Sequence, residues 1–89
     1  ELSLAARLFD PASGRGVEFY TTEPALQLYT GNWLDIKDAK DDMNYMQYSG
    51  VALECQHYPD SPNHPKFPST ALRPGEIYNQ TTIFRFYTE

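Results

Sequence analysis

The sequence predicts an all-β fold, an antiparallel β-sandwich, on three observations. Five runs of strand-forming residues recur at short spacing with turn signals between them, and no stretch carries a convincing amphipathic helix. Aromatic residues are plentiful, with seven Tyr, five Phe and one Trp, and seven prolines force turns. Both favour sheet over a helical bundle.

The elements follow in order. Leu2 to Phe9 alternates Leu2, Leu4, Ala6 and Leu8 against Ser3, Ala5, Arg7 and Phe9, the period of a half-buried strand. Asp10-Pro11-Ala12-Ser13-Gly14 supplies turn chemistry and Val17 to Thr22 is β-rich again, which predicts a hairpin. Ala25 to Thr30 sets Leu26 and Leu28 on a core face and Gln27 and Tyr29 on a wet one. Asp35, Asp38, Asp41 and Asp42 crowd the stretch between Leu34 and Gln47, a surface loop with at most one helical turn. Gly50 to Tyr58 puts Val51, Leu53, Cys55 and His57 on one face and Ala52, Glu54, Gln56 and Tyr58 on the other. A Pro-punctuated loop runs from Pro59 to Pro68, Arg73-Pro74-Gly75-Glu76 predicts a type II turn, and Ile77 to Tyr87 is the last strand, with Tyr78, Phe84 and Phe86 toward the core.

Eighty-nine residues make one small domain at most. Its core must be thin, because a chain this size buries only about 60–65% of the surface its unfolded form exposes. The net charge of -5 and the absence of any Lys or Arg cluster exclude a nucleic-acid or anionic-membrane surface as partner. Cys55 is the only cysteine, so an intramolecular disulfide is impossible and a reducing, cytoplasmic setting is the simpler reading. No apolar run approaches the roughly 20 residues needed to cross a bilayer. The chain starts without Met, inside an alternating pattern, and reads as a piece cut from something longer.

Glu54 is the first candidate for chemistry, since a carboxylate between Leu53 and Cys55 in a β-run is costly to bury without a partner. Periodicity alone favours a solvent-facing strand residue. Gln27 offers a donor and an acceptor to a sugar hydroxyl, against the same solvent-facing reading. Trp33 and the tyrosines could stack on a pyranose, but core packing accounts for most aromatics in a small β-domain. Cys55, His57, Asp60 and His64 match no structural zinc spacing, so no metal site is expected. Pro59, Pro62, Pro65 and Pro68 repeat every third residue, the polyproline II period of an SH3-type ligand, although a stiff loop held against the sandwich is the favoured reading. The sequon Asn79-Gln80-Thr81 falls inside the expected last strand and is read as silent.

Several segments read together resemble the aldose 1-epimerases. They are Asp10-Pro11 with Ser13-Gly14-Arg15, then Thr21-Thr22-Glu23-Pro24, then Gln27 with Tyr29-Thr30-Gly31-Asn32. Leu53-Glu54 with Gln56 follows, then Pro59-Asp60-Ser61-Pro62-Asn63 with Pro65 and Phe67-Pro68, and Leu72-Arg73-Pro74-Gly75-Glu76 with Tyr78 and Thr81-Thr82. The order and spacing hold over nearly the whole chain, and Asp35 to Gln47 is the poorest match. The resemblance implies that residues 1–89 are the C-terminal segment of a single mutarotase-type supersandwich domain. It implies a cofactor-free exchange of the α and β anomers of an aldose such as galactose or glucose. In the family the Glu of the Leu-Glu-x-Gln segment, here Glu54, takes the C1 hydroxyl proton, and the Gln corresponding to Gln27 lies in the substrate site. The acid His precedes the region matched here, which makes the missing N-terminal part of the fold a required partner and leaves this chain inactive alone. The alternative is a non-catalytic carbohydrate-binding module of the same fold.

Overall fold

The computed structural model describes residues 1–89 as an all-β chain of two antiparallel sheets. The first has strand order β1-β2-β5, with β1 at Ser3–Asp10, β2 at Arg15–Thr21 and β5 at Thr82–Thr88. The second pairs β3, Ala25–Tyr29, with β4, Ala52–Gln56. The only helical pieces are single 3-10 turns at Lys40–Asp42 and Ser61–Asn63.

The β1–β2 hairpin turns on the chemistry read from Asp10 to Gly14. The Asp10 carboxylate accepts from the Ser13 hydroxyl at 2.7 Å and the Ala12 N–H at 3.1 Å, while Gly14 N–H closes on the Asp10 carbonyl at 2.8 Å. The Ser13 hydroxyl, then the Ala12 amide, hold the Asp10 carboxyl below its ordinary range. A bulge between Leu4 and Ala6 alters the alternation expected for β1. Leu4 pairs with Tyr20 and Ala6 with Phe19, so Leu4 lies on the opposite face from Ala6 and Leu8.

The two faces of the first sheet differ. One carries Leu8, Val17 and Phe86, then Ala6, Phe19 and Phe84, in successive cross-strand rows. Phe19 is the one apolar residue that is buried, and its ring meets Phe84 edge-on at 4.5 Å. The other face carries Arg7, Glu18 and Arg85 in one row, with Glu18 taking Arg7 Nε at 3.1 Å and Nη2 at 2.5 Å, Arg85 Nη1 at 2.5 Å and the Tyr20 hydroxyl at 3.2 Å. Hydrogen bonds from Arg7 and then Arg85 hold the Glu18 carboxyl below its usual range. In the adjacent row Phe9 and Tyr87 stack at 6.2 Å, nearly parallel at 5°, across Gly16 between them.

The extent expected for the last strand needs correction. The last strand begins at Thr82, not Ile77, because residues 73–81 are occupied by the turn and an irregular approach. The turn itself forms as expected, with Glu76 N–H on the Arg73 carbonyl at 3.0 Å and Gly75 at φ +89°, the positive value a type II turn demands. Tyr78 is therefore outside the strand and not in a core, and the sequon at Asn79 also lies outside it. The proline repeat does not form a polyproline helix: Asp60 is left-handed at φ 63°, Ser61–Asn63 make a 3-10 turn, and Tyr58 and His64 pack on Phe67 at 4.9 and 4.7 Å.

The core is thinner than its length requires. The chain exposes 7312 Å², whereas a compact protein of its mass exposes about 5,300 Å². Its radius of gyration is 16.6 Å, against about 12 Å for a compact domain of this length. Phe84, at 53% exposure, and Phe86, at 76%, are strand residues whose side chains stand largely in the open. No helix is long and apolar enough to cross a membrane.

Candidate functional site

The pairing of β3 with β4 places Gln27 directly opposite Glu54, with Ala25 opposite Gln56 and Tyr29 opposite Ala52. Directly paired residues share a sheet face, with Cβ atoms about 4.5–5.5 Å apart. Gln27 and Glu54 are both exposed, and Gln56 and Tyr29 flank them, each half-buried. The two side chains singled out separately from the sequence thus stand side by side. The other face carries Leu26 against Cys55 and Leu28 against Leu53, and Leu28 is also exposed, so the expected core face is only partly covered.

Both ends of this ribbon are held by identifiable contacts. Gly31, at φ +77°, follows β3, and its carbonyl accepts the N–H groups of Tyr48 at 2.9 Å and Leu34 at 3.2 Å. A side chain there would come within 2.6 Å of the Gly50 carbonyl oxygen, so the root of the β3–β4 connection requires glycine twice over. The Tyr29 hydroxyl accepts the Trp33 N–H at 2.9 Å, and Trp33 itself is 88% exposed with nothing packed on it. The acidic loop beyond has a structural explanation: Asp38, Asp41 and Asp42 all adopt left-handed backbone, which Asp tolerates better than most residues.

At the other end lies a cluster that sequence reasoning missed. Glu23, in the link from β2 to β3, has a side chain only 5% exposed. It accepts the Tyr78 hydroxyl on Oε1, and its Oε2 lies 3.1 Å from His57 Nδ1. That second contact is short but off the line of a hydrogen bond, so Oε2 is buried without a donor. The Glu23 hydrogen bond, followed by burial and the carboxylate charge, raises the Tyr78 phenol above its ordinary pKa. A Glu directly before Pro24 and after two threonines was the available signal, but periodicity says nothing about a link residue. His57 therefore pairs with Glu23 and His64 with Asp60 at 3.0 Å, and no three His, Cys, Asp or Glu side chains converge.

Two hollows lie elsewhere on the surface. One of about 420 Å³ is bounded by Phe9, Arg15 and Phe86 on the first sheet, and one of about 360 Å³ lies under His64 and Phe67. Gln27 and Glu54 stand on an open ribbon face and line neither.

The antiparallel sheets define an all-β protein, and the β3–β4 ribbon presents an amide and a carboxylate together on one open face, groups able to donate to and accept from hydroxyls. Comparison with known proteins gives the family. The profile of the family described as aldose 1-epimerase matches residues 1–85. The chain is 51% identical over 87 residues to galactose mutarotase of Mus musculus and 48% identical to that of Homo sapiens. It is 40% identical over 88 residues to aldose 1-epimerase of Escherichia coli K12. Each match covers 97% of this chain and 25% of the relative, so the chain spans about a quarter of the length of these curated relatives. The chain belongs to the aldose 1-epimerase family.

Proposed function

We propose that these residues are the C-terminal quarter of a cytoplasmic mutarotase that exchanges the α and β anomers of an aldose such as galactose or glucose. Glu54 removes the C1 hydroxyl proton while an acid His from the preceding part of the fold protonates the ring oxygen. The C1–O5 bond breaks to an open-chain aldehyde, rotation about C1–C2 exchanges the carbonyl faces, and closure returns each proton to the group it came from. Such a pair is needed because neither a sugar hydroxyl nor a ring ether exchanges protons fast at neutral pH without an aligned base and acid. Gln27 holds a sugar hydroxyl beside the base, and the exchange needs no cofactor.

The single observation that supports this reading best is the register that sets Gln27 opposite Glu54 on an open face. The family match supplies the chemistry. The excess of exposed surface favours a chain that completes its core, and the walls of its sugar site, with residues preceding it.

The test is mutarotation of glucose and galactose by the full-length enzyme, followed by polarimetry or anomer-exchange NMR. Glu54→Gln should lower kcat by about 10²-fold or more, the usual scale for a positioned base, and Gln27→Ala should mainly raise KM. Normal turnover in Glu54→Gln would remove that residue from the mechanism. Galactose binding without anomer exchange in the unmodified full-length protein would favour a non-catalytic carbohydrate-binding module.

A further inference from the structure

We infer that Glu23 is a positioning residue whose carboxylate, held between Tyr78 and His57, sets strand β4, and with it Glu54, relative to the three-stranded sheet. The inference rests on the reading of Glu54 as the base. Glu23 belongs to the three-residue link by which the chain passes from β2 into β3. Its side chain is 5% exposed, as deeply set as that of Glu18 at 7%, but Glu18 is satisfied by Arg7, Arg85 and Tyr20 whereas Glu23 keeps one oxygen with no donor.

Its partners come from different parts of the fold. The Tyr78 hydroxyl approaches on the segment that leads into β5, and so belongs with the first sheet. His57 directly follows β4, and so belongs with the second. The Glu23 backbone is fixed from the first sheet too, with its N–H on Thr21 Oγ1 at 3.1 Å, and Thr21 Oγ1 lies 3.0 Å from that of Thr82. The same seam is reinforced next door, where Thr22 N–H meets the Thr81 carbonyl at 3.0 Å and Thr81 N–H meets Thr22 Oγ1 at 3.1 Å. Glu23 is thus tied rigidly to one sheet and reaches the other through His57.

The geometry of that reach matters because Oε2 has no hydrogen-bond donor. A buried carboxylate oxygen without a hydrogen bond is costly, and rotation of the His57 ring is the nearest remedy. The 3.1 Å contact sets His57, and so the end of β4, beside the link. His57 lies three residues beyond Glu54, about 10 Å along an extended strand. The ladder of five paired residues between β3 and β4 carries its placement back to Gln27 and Glu54.

The test uses the full-length enzyme and two readouts, kcat and KM for mutarotation and the amide ¹H–¹⁵N shifts of Gln27 and Glu54. Glu23→Gln keeps the size of the side chain and an acceptor for Tyr78, but removes the charge and the oxygen facing His57. It should lower kcat about tenfold or more with KM within about twofold, since small misplacements of a reacting group are expensive. The amides of Gln27 and Glu54 should shift while those of β1 stay. Tyr78→Phe, which deletes one hydroxyl, should move both readouts the same way by less, and serves if Glu23→Gln fails to fold. Unchanged shifts and unchanged kcat in the folded variants would overturn the inference. The shifts separate it from the assignment of the base: an active Glu54→Gln alongside moved amides in Glu23→Gln would sink the base and leave the positioning contact standing.

Discussion

Gly16 is the position at which one added carbon is most informative. It sits in the central strand of the first sheet between Phe9 on β1 and Tyr87 on β5, and a Cβ there would lie 2.3 Å from Tyr87 Cζ and 2.6 Å from Cε1. The three nearest atoms all belong to the Tyr87 side chain, so Gly16→Ala must displace the tyrosine ring. The loss has two parts. The aromatic pair is worth about 1 kcal/mol beyond its area. If the ring returns about 50 Å² of apolar surface to water, roughly 25 cal/mol per Å² adds about 1.2 kcal/mol. Opposing this, Ala is better than Gly in a strand interior by about 0.5–1 kcal/mol. Loss exceeds gain, and Gly16→Ala should destabilise the full-length protein by about 1.2–1.7 kcal/mol, read as a lower urea midpoint with an unchanged m-value. In a Tyr87→Ala background the same substitution should become neutral or stabilising, because the ring it displaces is gone. An equal cost in both backgrounds would show that something other than the ring fills the space above Gly16.

Two further substitutions test the first sheet. Glu18 has a folded pKa below its unfolded value, so the unfolded chain takes up its proton first as acid is added. The contribution of Glu18 is therefore complete above its ordinary value of 4.5 and is lost as pH falls through the lower folded value. Glu18→Gln should accordingly flatten the acid limb of a stability–pH curve while lowering stability at neutral pH, and an unaltered acid limb would discount the Arg7 and Arg85 contacts. Phe19→Ala removes the one buried apolar side chain of the sheet and should cost about 3 kcal/mol or more by chemical denaturation in the full-length protein, the usual scale for a buried Phe. A loss below about 1 kcal/mol would mean that this face is not part of a core.

The sheets were readable from the sequence where local chemistry decides them. The Asp10 to Gly14 turn, the Pro74-Gly75 turn and the period-2 face shared by Glu54 and Gln56 depend on residues near one another in the chain. The bulge at Ala5 was not legible, because alternation continues through it and only pairing with Tyr20 and Phe19 reveals the slip. Ile77 to Thr81 has the composition of a strand, but Tyr78 is claimed by Glu23 and strand pairing with β2 starts only at Thr82. The site divides in the same way. Glu54 and Gln27 could each be named as candidates, yet their adjacency depends on the register across a long connection. The Glu23 contacts join residues 34 and 55 positions apart, which no windowed pattern detects.

The place of β5 in the first sheet has a consequence for the order of assembly. β1 and β2 are joined by a short turn, whereas Thr21 and Thr82, which open the β2–β5 ladder, are 61 positions apart. Closing the longer loop costs about 2.4 kcal/mol more in chain entropy than closing a four-residue one. The hairpin can therefore form as soon as its own residues are available, while β5 docks only after the intervening ribbon has condensed and shortened the effective span. Until then the Glu18 carboxylate has Arg7 but not Arg85, and Gly16 is covered from one side only. A cut anywhere in the long connection would turn that last step from a search within one molecule into a meeting of two.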